Sequence, residues 1–465
     1  MASVPEYLYR MRETLPKGRV PAKIFNDPQI YQLEKERLFS RAWVFLAHES
    51  EIPQPGDYVL RWIADLSVIV VRDEHGQVRA FRNACTHRGN QVCKAEMGNA
   101  SHFRCSYHGW TFKNTGELVG VPYHREVYRG QLDKSEWGLH PVRIDTYAGL
   151  IFGTLDPNAE PLETYLGGFQ FYLDFFLRPG PEGTEVYAPP ERWVADTDWK
   201  ICAENFGGDG YHTPVAHQFG FALGFYPSSG RTHFMGYAVH IPGRGHCIGI
   251  GHTPGLPPFA GFPPEVVEGY QQALSPEQIS VFRDARMSVA TVFPNLSFLI
   301  QPFSLTPGKP GLKFCTMRLW HPRGPGRIEM WTWCLVPKHI SPELKREIYR
   351  VYSLAFGAAG TFEQDDFENW TNLSRQHAAF NADTFELAYL QGLDWEPLSD
   401  FPGPGYAFTP YATEIGFRNL WGTWLNYLLT PPGEPVDPAK VPPAFSPAQQ
   451  PSSAESGTYG FVGEE

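Results

Sequence analysis

Cysteine is scarce in this chain: seven residues among 465, an odd number. A long sequence so poor in thiols is not a disulfide scaffold, and the count fits a reducing compartment. Long apolar runs are missing too. The longest, such as Leu66–Val71, are of strand length and far from the roughly 20 residues that span a bilayer. The N-terminal stretch MASVPEYLYRMRETLPKGR lacks the continuous apolar core of a secretory signal, so a cytoplasmic protein is expected. Basic residues are in deficit, with 39 Lys plus Arg against 50 Asp plus Glu and a formal net charge of −11. That removes any electrostatic reason to seek nucleic acid or anionic lipid. No Gly-x-Gly-x-x-Gly opens a helix after a strand, which excludes a dinucleotide fold of this type. No internal repeat is found. Aromatic residues make up 15% of the chain and charged residues only 19%, the balance of a globular protein rather than a disordered one. The length allows two to four domains. Sixteen His accompany the seven Cys, and the question is which of them are ligands.

The texture changes along the chain. Residues 26–39 read as a helix capped by Asn26 or Asp27, with Pro28 in its first turn. Short β-type runs then alternate with turn dipeptides (YVLRWI, SVIVVRD, VRAFRNAC, HFRCSYHGWTF, LIFGTL), which predicts an all-β domain over 42–158. Residues 163–176 look helical and 193–201 strand-like. Residues 227–261, rich in Gly, Pro and His, read as a loop system. Segments 288–303, 312–320 and 327–336 suit an antiparallel sheet. Ser341-Pro342-Glu343 opens a helix that runs, with a weak point at Gly357 and Gly360, to about Ala379. The expected organisation is an N-terminal helical part (1–41), the β domain (42–158), a mixed domain (159–430) and a Pro-rich, extended or disordered tail (431–465).

Two constellations carry chemistry. In the β domain, Cys85-Thr86-His87 and Cys105-Ser106-Tyr107-His108 form two fingers, with seventeen residues between His87 and Cys105. A structural zinc site usually pairs a two-Cys knuckle with a two-His one. One Cys and one His per finger instead fits a two-iron cluster, with both thiolates on one iron and both imidazoles on the other, the Rieske arrangement. Residues i and i+2 of an extended segment face the same way, so Cys85 and His87 can share a site. Gly109 lets backbone approach the cluster, and Trp110 can cover it.

The second stretch, residues 204–217, carries His212 and His217, with Pro214 between them enforcing an irregular helix. Two His with one carboxylate make the facial triad of non-haem iron(II), which leaves coordination positions open. Asp365 and Asp366, on the late helix, compete to supply it. Asp366 lies four residues from both Phe362 and Trp370 on an apolar seam, whereas Asp365 aligns with Thr361 and Asn369. Periodicity favours Asp366 as ligand and places Asp365 at the surface or behind a ligand. Asp209, three residues before His212, is read either as the carboxylate that orients a ligating His or as a helix cap. Glu204 and Asn205 can also be caps, and Tyr211 is either core or a hydroxyl near the ligands.

Together these residues resemble the large (α) subunit of Rieske non-haem iron aromatic-ring-hydroxylating dioxygenases, of the naphthalene or polycyclic-aromatic type. The resemblance covers most of the chain, from Ile24-Phe25-Asn26-Asp27-Pro28 through His48–Pro53 and both ligand sets; the Pro-rich tail departs from it. It implies an α+β fold: a Rieske all-β domain inserted in a catalytic domain whose antiparallel sheet is flanked by helices, in the helix-grip manner. It implies that Cys85, His87, Cys105 and His108 bind a [2Fe-2S] cluster and that His212, His217 and Asp366 bind mononuclear Fe(II). Asn205 and Asp209 match the family's iron-site stretch, and Asp209 bridges to the cluster of a neighbouring subunit. The implied assembly is α3, or α3β3 with a small β subunit, with electrons from a ferredoxin or reductase. The implied reaction adds both atoms of O2 to an aromatic ring, giving a cis-dihydrodiol. A monooxygenase acting on an aromatic acid or amine is the rival within the family, and a zinc-binding interaction protein lies outside it.

Other residues take blander expectations. Phe206, Phe356 and Phe362 are candidates for an apolar slot, as are Phe219, Phe221 and Phe225. His233, His240, His246 and His252 read as loop or lid residues. Cys93, Cys202, Cys247, Cys315 and Cys334 read as buried thiols. Arg231, Arg244 and Arg283 are candidates for holding an aromatic carboxylate.

Overall fold

The computed structural model describes residues 3–225, 235–379 and 385–445. Two hydrophobic cores lie on the two faces of one antiparallel sheet, made of Val78–Arg82, Leu66–Arg72, Asp57–Ile63 and Met97–Asn99 in that order. Side chains alternate along a strand. Tyr58, Leu60, Ile69 and Val71 therefore enter a small core with Trp110 and Phe112, while Val59, Ile63, Val68 and Val70 join the large one. A three-stranded sheet (His102–Arg104, Thr111–Lys113, Leu118–Gly120) completes the β domain. Its two ends meet: Val44–His48 pairs with Leu150–Thr154, so the chain leaves and rejoins the larger body at one place.

The larger body is built on a nine-stranded antiparallel sheet. Its strands run Thr184–Val186, Ile328–Pro337, Leu312–Pro322, Leu296–Phe303, Ala285–Val292, Cys247–His252, Gly236–His240 and Tyr406–Phe408, with Glu191–Ala195 also paired to Ile328–Pro337. Helices Pro342–Phe356 and Trp199–Asn205 pack on Leu312–Pro322, and helix Ile415–Leu429 packs on the strands at 236–252. Among the described residues no helix is long and apolar enough to cross a membrane.

Several sequence expectations need correction. Residues 193–201 are not one strand: Glu191–Ala195 is a strand, and the Asp198 side chain caps a helix beginning at Trp199. Residues 227–261 are not all loop. Two inner strands run there, and their glycines serve close packing: a Cβ on Gly249 would lie 2.9 Å from Gly208, and one on Gly251 3.3 Å from the Tyr411 ring. His240 and His246 are accordingly core residues, with His246 bonded to the Tyr165 carbonyl (2.9 Å) and the Phe293 N–H (3.0 Å). His252, half-buried, ends a strand. His233 and Arg231 lie outside the described residues. The late helix is two helices, Pro342–Phe356 and Glu363–Ala379, broken where Gly360 comes so close that a Cβ would sit 2.6 Å from the Ala355 carbonyl. The helix expected at 163–176 also divides, into Leu162–Leu166 and Gln170–Leu177. The first part of the tail is anchored: Arg418 donates to the Ala444 carbonyl and Asn426 to that of Asp437. Residues 446–465 lie outside the described residues.

A buried polar network fixes the elements that matter for the site. Lys200 Nζ donates to Glu34 (2.8 Å) and Asp198 (2.8 Å), all three nearly inaccessible. Trp199 and Trp424 donate their indole N–H groups to Glu34. Asp198 also accepts from the Asn26 N–H (2.9 Å), and the Asn26 side chain exchanges hydrogen bonds with Ser374 on helix Glu363–Ala379. Helix 26–39 begins on the Asp27 cap, as expected, and widens into a π-helical turn from Glu34, the residue that reaches Lys200. Removing one member of a buried ion cluster leaves the others uncompensated. Lys200→Met is therefore expected to cost about 3–5 kcal/mol of stability, measured as a shift of the denaturant midpoint; an unshifted midpoint would contradict this account of the network.

Candidate metal centres

The two fingers of the β domain are the same loop built twice. The Cys85 N–H bonds the Asn90 carbonyl and the Cys105 N–H that of Trp110, both at 2.8 Å. Gly89 and Gly109 then turn back to the Cys85 and Cys105 carbonyls at 2.7 and 3.0 Å. Both glycines have φ near +75°, at +76° and +72°, a region other residues rarely adopt. In each loop two backbone N–H groups point at the sulfur, from His87 and Arg88 to Cys85 and from Tyr107 and His108 to Cys105. Burial opposes charge on the Cys105 thiol, yet Asn90 and those N–H groups hold it below its ordinary value. Burial raises Cys85 beside it. The His87 and His108 rings are 4.5 Å apart, and Trp110 stacks on His87 at 4.9 Å. His87 Nδ1 is buried without a hydrogen-bond partner. Two adjacent sulfurs with N–H donors and an orphaned imidazole nitrogen are a donor set that fits a cluster held by all four side chains.

In the larger body, His212, His217 and Asp366 bring one ligand atom each within 4.8 Å of one another. The Nε2 atoms of His212 and His217 lie 3.4 and 3.2 Å from the same Asp366 oxygen. Each imidazole has a second carboxylate behind it: Asp209 at 3.3 Å from His212 Nδ1, and Asp365 at 3.3 Å from His217 Nδ1. This is how metal-binding histidines are usually oriented, one nitrogen held and the other aimed at the metal. Asp365 thus lies behind a ligand. Asp209 is not in a helix; its carboxylate accepts the N–H groups of Tyr211 and His212, and Asn205 Nδ2 donates to it at 3.4 Å. Gly210 makes this turn fit, since a Cβ there would lie 2.2 Å from the Tyr411 ring. Glu204 faces away: Tyr389 and Trp421 donate to it, and burial pushes its carboxyl up to about 8. Tyr211 is exposed.

The three groups line one narrow cavity. Phe206, Phe356 and Phe362 line it, as the sequence suggested, whereas Phe219 packs at a tilt against Phe362 and Phe225 stacks on Phe303. Sequence reasoning missed Met287, Val289, Leu299 and Gln301, which share one face of strands Ala285–Val292 and Leu296–Phe303, where Val289 pairs with Leu299. Among the described residues no Lys or Arg lines the cavity. Arg244 is paired with Glu160, and Arg283 is at the surface beside Asp284. The five remaining cysteines are all free; four are buried and Cys315 is half-buried.

Comparison with known proteins agrees with this layout. Residues 42–139 match the family model of the Rieske [2Fe-2S] domain, and residues 184–419 that of the ring hydroxylating alpha subunit, catalytic domain. A crystal structure of naphthalene 1,2-dioxygenase from Rhodococcus sp. bound to indole is similar with a TM-score of 0.87 and 44% identity, covering 92% of this chain and 99% of that one. Benzene 1,2-dioxygenase subunit alpha of Pseudomonas putida is 36% identical over 439 residues, 89% of this chain and 92% of the relative. N,N-dimethyl phenylurea N-demethylase subunit alpha of Sphingobium sp. is 34% identical over 441 residues, 92% of this chain and 95% of the relative.

Burial works against a proton on His212, but Asp209 first and Asp366 second raise its pKa well above the ordinary 6.5. A metal at that imidazole competes with a proton that the two carboxylates favour. Iron(II) binding is expected to release protons and to tighten as pH rises. Calorimetry in buffers of different ionisation enthalpy reads the release, and none at any pH would contradict it.

Proposed function

Because this chain belongs to the ring-hydroxylating oxygenase α-subunit family, a Rieske [2Fe-2S] domain joined to a non-haem iron catalytic domain, we propose that it is the terminal oxygenase that adds both atoms of O2 to a polycyclic or fused aromatic hydrocarbon, giving a cis-dihydrodiol. The observation that carries this reading is the convergence of two imidazoles and one buried carboxylate at an aromatic-walled cavity free of cationic side chains among the described residues. In this reading Cys85, His87, Cys105 and His108 hold the cluster, and His212, His217 and Asp366 hold Fe(II). When bound, these centres supply the electrons and the activation of dioxygen.

The protein's own part is positional. His212, His217 and Asp366 would hold the metal with three protein ligands, a number that leaves coordination positions for other groups. Asp209 and Asp365 hold the two Nδ1 atoms, which turns each Nε2 toward Asp366. Phe206, Phe356 and Phe362 hold a flat ring by apolar contact and exclude water from it. A cavity without Lys or Arg among the described residues favours a hydrocarbon over an aromatic acid, whose carboxylate would find no cationic partner among them. Asp209 is half-exposed, which supports its reaching outward to couple this iron with a neighbouring subunit's cluster, and Asn205 steadies it. Exposed Tyr107 beside the cluster, with Tyr211 and Val215 beside the iron site, supports contact between chains. The assembly is α3, or α3β3 with a small β subunit, and a ferredoxin or reductase supplies electrons.

The similarity to an N-demethylase subunit favours a second reading, monooxygenation of an aromatic amine. Product analysis of the reconstituted system fed naphthalene, phenanthrene, biphenyl and phthalate decides. An N,N-dimethyl phenylurea is fed as well, to test the rival. A cis-dihydrodiol from naphthalene or phenanthrene is expected; turnover of phthalate alone, only monohydroxylated hydrocarbons, or N-demethylation of the phenylurea alone overturns the hydrocarbon reading. Asp366→Ala should keep the Rieske spectrum and lose mononuclear iron and turnover, and full activity would sink the ligand assignment. Asp209→Ala should keep the Rieske spectrum and hold mononuclear iron roughly ten- to hundredfold more weakly; with iron supplied at saturation, electron transfer between the centres should still be slower, and unchanged single-turnover kinetics would count against the coupling role.

A further inference from the structure

We propose that Arg318 and Glu363 are a positioning pair that sets the place of Asp366 and the shape of the aromatic slot. The inference rests on the reading of Asp366 as an iron ligand. Both side chains are inaccessible, at 0% and 2% exposure. The contact is bidentate: Arg318 Nη1 donates to Glu363 Oε1 at 2.9 Å and Nη2 to Oε2 at 2.6 Å. Nη2 also donates to the Phe356 carbonyl at 3.1 Å. The guanidinium stands 5.0 Å from the Phe206 ring and 4.9 Å from the Phe356 ring.

These contacts straddle the break between the two late helices. Phe356 ends the first, Glu363 begins the second, and Asp366 lies one turn further on the same face. Arg318 comes from strand Leu312–Pro322, which belongs to the rigid central sheet. One guanidinium thus holds the end of one helix, the start of the next and two of the three phenylalanines of the slot. The third, Phe362, directly precedes Glu363. The intervening segment folds back on the first helix through Thr361 N–H to Leu354 and Phe362 N–H to Ala355. A buried ion pair adds little net stability over apolar residues of similar volume. Its distinctive property is direction, because the planar fork accepts a carboxylate in one orientation only.

The double variant Arg318→Met/Glu363→Met separates direction from stability. It removes both charges together, so the fold and the Rieske spectrum are expected to survive. Mononuclear iron should be held roughly ten- to hundredfold more weakly, read by dialysis against a chelator and iron analysis. The ratio of dihydrodiol regioisomers from phenanthrene should change as well. Iron retention and product ratio both equal to those of the unsubstituted protein would overturn the proposal. Should the double variant not fold, Glu363→Gln decides: it keeps the shape and one bond of the fork, and it should weaken iron retention in the same direction, whereas unchanged retention overturns the proposal. If Asp366→Ala itself keeps iron, the ligand reading fails. If Asp366→Ala loses iron and the pair variants keep it, only the positioning role fails.

Discussion

A carboxylate taken out of water needs positive charge or hydrogen bonds beside it, and Asp366 is 4% exposed with two imidazoles at hydrogen-bond range. Burial would neutralise it, but His217 and His212 hold its carboxyl well below the ordinary range. Behind those imidazoles stand two more carboxylates, Asp209 and Asp365. Three acids around two imidazoles leave a negative excess that a divalent cation would reduce. The nearby Glu363 does not add to the excess, because Arg318 neutralises it.

Meeting that constraint requires two distant segments to be brought together and kept there. His212 and His217 follow helix Trp199–Asn205, while Asp366 lies on helix Glu363–Ala379. Asn26 connects them, through its N–H to Asp198 and its side chain to Ser374, and it adopts a positive φ to do so. Thr197 adds a bond to the Trp370 carbonyl. The Lys200–Glu34–Asp198 cluster fixes Asp198 in turn. A segment far from the ligands in sequence is therefore part of what sets their geometry.

What was legible in the sequence was local. Asp366 on the apolar seam beside Phe362 and Trp370 was readable because its spacing carries the geometry. The i and i+2 argument for Cys85 and His87 assumed an extended segment, whereas residues 86–88 form a turn. Gly357 and Gly360 marked a weak point in one expected helix, where the chain instead forms two. Glycines misled where they served packing instead of turning: the strands at 236–252 read as loop because Gly249 and Gly251 must admit Gly208 and Tyr411. Alternation showed that strands 285–303 have two faces but not that Met287, Val289, Leu299 and Gln301 look at the ligands. Nor could any spacing rule pair Arg318 with Glu363, since strand and helix meet only in the folded chain.

The two candidate centres also differ in what they support. Cys85, Cys105 and Trp110 belong to the small core of the β domain itself, on one face of its sheet. A cluster held by residues of both loops would crosslink them, so its assembly and the folding of that domain would be coupled. Around the other site the Asn26, Asp198 and Arg318 networks are built from side chains other than the three candidate ligands, and the cavity wall belongs to the large core. Those networks give the surrounding fold a support of its own beside whatever a bound metal adds.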